Sequence, residues 1–163
     1  MLKKFFTKIK KVEILSPMTG ELVPLETVPD PVFSQKMMGE GVAIIPHTGE
    51  VRSPIDAEVL QVAPTKHAIG LKTIDGTEIL IHIGLDTVHL KGEGFTIHVE
   101  KGRFVKRGEL LADVDVTLLK ERGNHIMTPV IITNNASTKH VYKFHENKNV
   151  TANESLIISY ECT

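Results

Sequence analysis

The chain has 163 residues, 41% of them hydrophobic and 24% charged, with a formal net charge of −1. That length can bury a full core in one domain without staples. The single cysteine, Cys162, one residue from a fraying end, excludes an intramolecular disulfide and suits a reducing cytoplasm. There is no secretory signal, no apolar run approaches the roughly 20 residues of a membrane span, and no nucleic-acid partner is expected.

The first twelve residues stand apart. Lys3, Lys4, Lys8, Lys10 and Lys11 occur there without an acid, leaving 14 of the 19 basic residues to face all 20 acids in the rest of the chain. Leu2, Phe5, Phe6 and Ile9 fall at i, i+3, i+4 and i+7, one helical face ringed by lysines. The pattern predicts a short helix lying on an anionic membrane surface. A disordered, solubilising leader is the competing reading, because twelve residues form little helix alone in water. The expected organisation is a basic amphipathic tail, 1–12, followed by one domain, 13–163.

After Val12 the chain reads as short strands separated by Gly, Pro, Asp and Asn. The clearest are 42–46, 58–62, 69–74, 78–84, 109–114 and 156–160. Their even spacing suggests an all-β sandwich or barrel, with one short helix over Val116–Arg122 stopped by Gly123-Asn124. Ser16-Pro-Met-Thr-Gly-Glu-Leu22 and Ser53-Pro-Ile-Asp-Ala-Glu-Val59 look like two copies of one strand-entry motif.

Between the middle strands lies the most informative stretch. Asp75-Gly76, flanked by β-formers, predicts a two-residue type I′ hairpin turn with positive φ at both central residues. Residue numbers of opposed partners then sum to 151, so Ile69 faces His82 and His67 faces Gly84. The two histidines become diagonal neighbours on one face, with Gly84 leaving space between them. A lone histidine in a β core is ordinarily a packed one; two on one face with a glycine between them point to chemistry. A neutral imidazole can act as a nucleophile while a second donates a hydrogen bond or proton. Alternatively, His67, His82 and Asp86 could hold zinc as in a hydrolase, although no general base is evident.

These residues resemble a known family. His82-Ile-Gly-Leu-Asp-Thr-Val88, followed by Leu90-Lys-Gly-Glu-Gly-Phe95, is similar to the signature of the glucose-class IIA domain of the bacterial sugar phosphotransferase system. Ser16-Pro-Met-Thr-Gly-Glu21, Val28-Pro-Asp-Pro-Val-Phe33, Met38-Gly-Glu-Gly41, Thr65-Lys-His-Ala68 and Thr128-Pro-Val130 follow the same pattern in order, so the likeness runs from about Val12 to near the C-terminus. The resemblance implies an antiparallel β-sandwich of duplicated barrel-sandwich type with at most one or two short helices. It also implies a phosphocarrier that takes a phosphoryl group from the phosphohistidine of the carrier HPr onto His82, assisted by His67, and passes it to a cysteine of a IIB domain on a separate membrane permease.

The residue types suit that chemistry. Nε2 of a neutral histidine can attack phosphorus without a general base if its other nitrogen carries the proton and is held by an acceptor. Thr65 and His67, two apart and therefore on one strand face, are placed to hydrogen-bond phosphoryl oxygens in a loose transition state. No cofactor or metal is required. Asp86 either orients the site from its edge or caps a turn. Val32, Phe33, Met37 and Met38 read as an adaptable apolar rim for partner docking, or else as ordinary core. A regulatory binding module of the same fold, docking according to its phosphorylation state, would show the same residues.

Overall fold

The computed structural model describes residues 9–146 and 148–162. In chain order the strands are β1 (Lys10–Leu15), β2 (Gly20–Pro24), β3 (Glu40–Pro46), β4 (Glu50–Arg52), β5 (Ala57–Val62), β6 (Ala68–Lys72), β7 (Glu78–His82), β8 (Phe95–Ile97), β9 (Phe104–Val105), β10 (Leu110–Val114), β11 (Thr128–Ile132), β12 (Lys143–Phe144), β13 (Asn149–Val150) and β14 (Leu156–Cys162). Two short α-helices, α1 (Pro31–Ser34) and α2 (Val116–Glu121), and two 3-10 turns complete the described residues. All pairing is antiparallel. An eight-stranded sheet runs β13-β2-β3-β11-β7-β6-β5-β9, and two three-stranded sheets run β1-β14-β12 and β4-β10-β8.

Strand periodicity explains the layering. Along β11, Val130 and Ile132 join one apolar cluster while Ile131 joins another, and β3 divides Val42 and Ile44 from Ala43 in the same way. The larger cluster unites all three sheets through Ile14, Ile44, Val51, Ile69, Leu71, Ile81, Leu111 and Ile158. The smaller lies on the other face of the large sheet, under a strap formed by Leu25, Val28 and Phe33. Asp30 starts α1 within that strap, accepting a hydrogen bond from Val32 N at 3.0 Å ahead of Pro31 at the first helical position.

The repeated motif is a structural duplication. Ser16 Oγ donates to Met18 O at 2.6 Å, and Ser53 Oγ donates to Ile55 O at 2.7 Å. The copies also bond each other reciprocally, Leu15 N to Pro54 O and Arg52 N to Pro17 O. Each serine backbone is clamped by a later turn, Ser16 by Asn153 and Ser155, Ser53 by Gly108 and Glu109.

Two boundaries differ from expectation. Lys10, Lys11 and Val12, assigned above to the tail, pair with Cys162, Glu161 and Tyr160, so β1 begins inside the basic segment and Cys162 is held in a strand. The amphipathic stripe Leu2, Phe5 and Phe6 lies outside the described residues; Ile9 is exposed.

The hairpin register also needs correction. Ala68 opposes His82 and Lys72 opposes Glu78, so partner numbers sum to 150. The turn has three residues between Thr73 and Thr77, closed by Thr73 N to Thr77 O and Gly76 N to Thr73 O, and only Gly76 of the Asp-Gly pair has positive φ. Asp75 bends inward. Its carboxylate accepts from Thr73 Oγ1, Thr77 N and, across the fold, Tyr160 OH.

Candidate functional site

The histidines meet, by a route other than regular pairing. His82 ends β7 on the strap side of the large sheet. His67 precedes β6, in an irregular stretch where Lys66 has φ +64°, and its carbonyl accepts from Ile83 N at 2.7 Å. Regular alternation would turn His67 away from His82 at that register; the positive-φ turn releases it. The rings lie edge to face with centroids 5.0 Å apart.

Each ring has a fixed partner on Nδ1. His82 Nδ1 donates to the Gly84 carbonyl at 2.8 Å. A carbonyl only accepts, so Nδ1 carries the proton and Nε2 presents its lone pair. His67 Nδ1 lies 2.7 Å from Thr65 Oγ1. Thr65 sits in the turn before β6 rather than on a strand face, and its hydroxyl is engaged with His67 instead of standing free.

Gly84 does not hold space open between the rings, as the expected register had it. Its φ is +72°, and an added Cβ would stand 2.6 Å from Thr87 Cγ2 and 3.0 Å from His125 O. The glycine lets the chain turn its carbonyl back onto His82. Neighbouring bonds hold that peptide in place: Thr87 Oγ1 donates to Ile83 O at 2.6 Å, Leu85 N to His125 O at 2.9 Å, and Asn124 Nδ2 to Leu85 O at 3.1 Å.

Phe33 packs on His82 with centroids 4.9 Å apart and is 4% exposed. It is core beneath the site rather than rim. Val32, Met37 and Met38, on the same segment, are exposed, as is Val88 beyond His82. Asp86 is exposed in a left-handed conformation at the start of the Thr87–Leu90 turn, with no side-chain capping bond. Among the described residues no three His, Cys, Asp or Glu side chains gather as a metal would need, so the zinc reading loses its ligand set.

Burial holds His82 below the ordinary histidine value of 6.5; the Gly84 bond opposes this, the His67 ring adds to it, and the Asp30 carboxylate opposes it. Burial lowers His67 too, opposed by the Thr65 backbone carbonyl, which favours the protonated ring. Both rings are therefore neutral at pH 7. Asp30 was missed as a site residue in the sequence. Its cap-before-proline pattern was visible, but its nearness to His82 depends on the strap folding across the sheet.

A half-buried imidazole with Nδ1 engaged, its lone pair on Nε2 and a second imidazole beside it suits a histidine phosphoryl carrier. The family described as the phosphoenolpyruvate-dependent sugar phosphotransferase system, EIIA 1, matches residues 12–138, and the chain belongs to it. The "PTS system glucose-specific EIIA component" of Oceanobacillus iheyensis is 50% identical over 149 residues, covering 91% of this chain and 90% of that protein. The protein of the same name from Halalkalibacterium halodurans is 50% identical over 144 residues, covering 82% and 83%. The structure of glucose permease IIA from Mycoplasma capricolum superposes with a TM-score of 0.85 at 34% identity, covering 95% of this chain and 98% of that one. The chain is thus a phosphocarrier of sugar uptake, an EIIA component working through histidine phosphorylation, on the expected all-β antiparallel fold.

Proposed function

We propose that His82 is the phosphoryl acceptor and His67 its assistant. The observation that carries this is the Nδ1–Gly84 bond, which leaves Nε2 of a neutral ring as the nucleophile. Nε2 forms the new N–P bond as the N–P bond of phospho-HPr breaks, and that electron pair returns to the HPr imidazole. In the tautomer whose Nδ1 accepts from the Thr65 hydroxyl, the His67 proton sits on Nε2, available to the phosphoryl oxygens, where charge redistributes during transfer. Onward transfer goes to a IIB-domain cysteine of a separate permease, of the glucose class to which the relatives' names belong, on the cytoplasmic side. No helix of the described residues is long and apolar enough to cross a membrane.

Val32, Met37 and Met38 form the adaptable surface for HPr and IIB, with Asp86 and Asp30 supplying negative charge at its edge. Residues 1–12 bring the domain to anionic lipid through Leu2, Phe5, Phe6 and Ile9.

Incubation with HPr, its kinase and labelled phosphoenolpyruvate should place one acid-labile, base-stable label on the peptide containing His82. Label on the His67 peptide alone reverses the assignment. The rate should also follow the charge state of the acceptor. Because the His82 pKa lies below 6.5, acceptance by a fixed amount of phospho-HPr should be level across neutral pH and fall only in acid, as Nε2 binds a proton. The depressed value also means that the unfolded chain takes up this proton first, so the contribution to stability is present above 6.5 and is lost as pH falls towards the folded value. A rate that declines already from pH 7.5 to 6.5 would show that the acceptor is not so buried.

A further inference from the structure

The Gly84–Leu85 peptide is bonded on both sides. Its carbonyl accepts from His82 Nδ1 at 2.8 Å, and its N–H donates to the His125 carbonyl at 2.9 Å. A peptide that donates on one side is polarised into a better acceptor on the other, so His125 O strengthens the bond that sets the His82 tautomer. One peptide further on, the Leu85 carbonyl accepts from Asn124 Nδ2 at 3.1 Å. Asn124 and His125 therefore grip both backbone groups of Leu85, from a segment 39 residues away in the chain.

Helix α2 delivers that segment. Asp115 caps its start, accepting from Leu118 N at 3.0 Å. Gly123, with φ +77°, turns its end, which is closed by Gly123 N to Lys120 O and Asn124 N to Leu119 O. Leu119 is 1% exposed, and its Cδ2 would stand 3.4 Å from a Cβ at Gly84, so the helix packs directly against the turn. The Arg122–Glu93 ion pair also joins α2 to the segment after His82, but both side chains are about half exposed and the pair contributes little. The polar hold on Leu85 lies with Asn124 and its neighbour's carbonyl.

We propose that Asn124 is a positioning residue for phosphoryl transfer, holding the Leu85 backbone so that the Gly84 carbonyl stays on His82 Nδ1. It acts through the peptide and not on the phosphoryl group. The inference rests on the reading of His82 as the acceptor. Without the amide, the Leu85 carbonyl loses this donor and the Gly84–Leu85 peptide is free to tilt. The ring then divides its proton between its two nitrogens, and Nε2 presents a lone pair for only part of the time.

Three full-length proteins test this: the native chain, Asn124→Ala and Asn134→Ala. Asn134 bonds the backbone at the other end of β7, donating from Nδ2 to Gly76 O and accepting from Glu78 N, both at 2.9 Å. Its removal loosens the same strand without touching the Gly84–Leu85 peptide. Rapid quench gives the rate of acceptance from phospho-HPr, and imidazole nitrogen shifts give the His82 tautomer. In metal sites, losing the group that orients a ligating histidine costs roughly 10–100-fold; Asn124→Ala should slow acceptance by about tenfold, at the low end of that range, and divide the His82 proton between Nδ1 and Nε2. Asn134→Ala should lose stability in denaturant while keeping the native rate and an unmixed tautomer. A native rate or an unmixed tautomer in Asn124→Ala overturns the proposal. Equal slowing in Asn134→Ala also overturns it, because the effect would then be general loosening. Label mapping in the native chain tells this failure from that of the acceptor reading: label on the His67 peptide alone removes both, whereas label on the His82 peptide leaves the acceptor standing whatever Asn124→Ala does. Should Asn124→Ala not fold, Asn124→Asp, the same shape without the donor, is read in the same way.

Discussion

Phospho-HPr is expected to leave no acid-labile, base-stable label on the His82→Ala protein, because the substitution removes the nitrogen proposed to bond phosphorus. His67→Ala keeps that atom and its tautomer, since the Gly84 carbonyl is untouched. It removes the proposed donor to the phosphoryl oxygens, a kind of transition-state contact whose loss costs on the order of 10²–10³ in rate. Rapid-quench measurement of label at fixed phospho-HPr therefore separates the roles: His82→Ala fails at acceptance, His67→Ala in speed. Thr65→Val should resemble a weaker His67→Ala, because it frees the His67 ring without removing it. Label on His82→Ala together with none on His67→Ala would exchange the two roles.

Gly84→Ala should damage both the fold and the chemistry. A side chain in the left-handed region costs about 1–2 kcal/mol, and forcing a methyl into packed surroundings typically adds about 1–3 kcal/mol. At Gly84 the methyl would meet Thr87 and the His125 carbonyl at 2.6 and 3.0 Å. Gly76→Ala is the control, for it has φ +95° with nothing within 4 Å of an added Cβ, so it should show the backbone cost alone. Denaturant titration should rank Gly84→Ala well below Gly76→Ala. Imidazole nitrogen shifts should further show the His82 proton divided between Nδ1 and Nε2 only in the former. Equal stability with an unmixed tautomer would show that this carbonyl is not what orients the ring.

Much of this arrangement was legible in the residues. Strand and turn chemistry marked most long strands within a residue or two, and the Ser16 and Ser53 copies proved to be related by reciprocal backbone bonds. The meeting of His67 with His82 was also foreseen, for the wrong reason. Local sequence favoured a two-residue turn, but Asp75 answers to Tyr160, 85 residues away, and that bond belongs to a three-residue loop with a different register. The rings still meet because Lys66 adopts a conformation that its residue type does not advertise. Phe33 and Asp30 were equally hard to place. Their nearness to His82 depends on the strap crossing the sheet, a contact no local periodicity encodes.

The bond from His82 Nδ1 to the Gly84 carbonyl has a consequence for proton inventory. On the proposed assignment the ring keeps the same proton on the same nitrogen before and after Nε2 takes the phosphoryl group, while the HPr imidazole departs with the pair it shared with phosphorus. Transfer between the carriers is then an exchange of one N–P bond for another with no net uptake or release of protons near neutrality. The reaction heat should be the same in phosphate and Tris buffers, whose ionisation enthalpies differ widely, and the exchange ratio should not drift when the surrounding pH does. A relay built this way reports the phosphorylation state of its donor rather than the pH of the compartment.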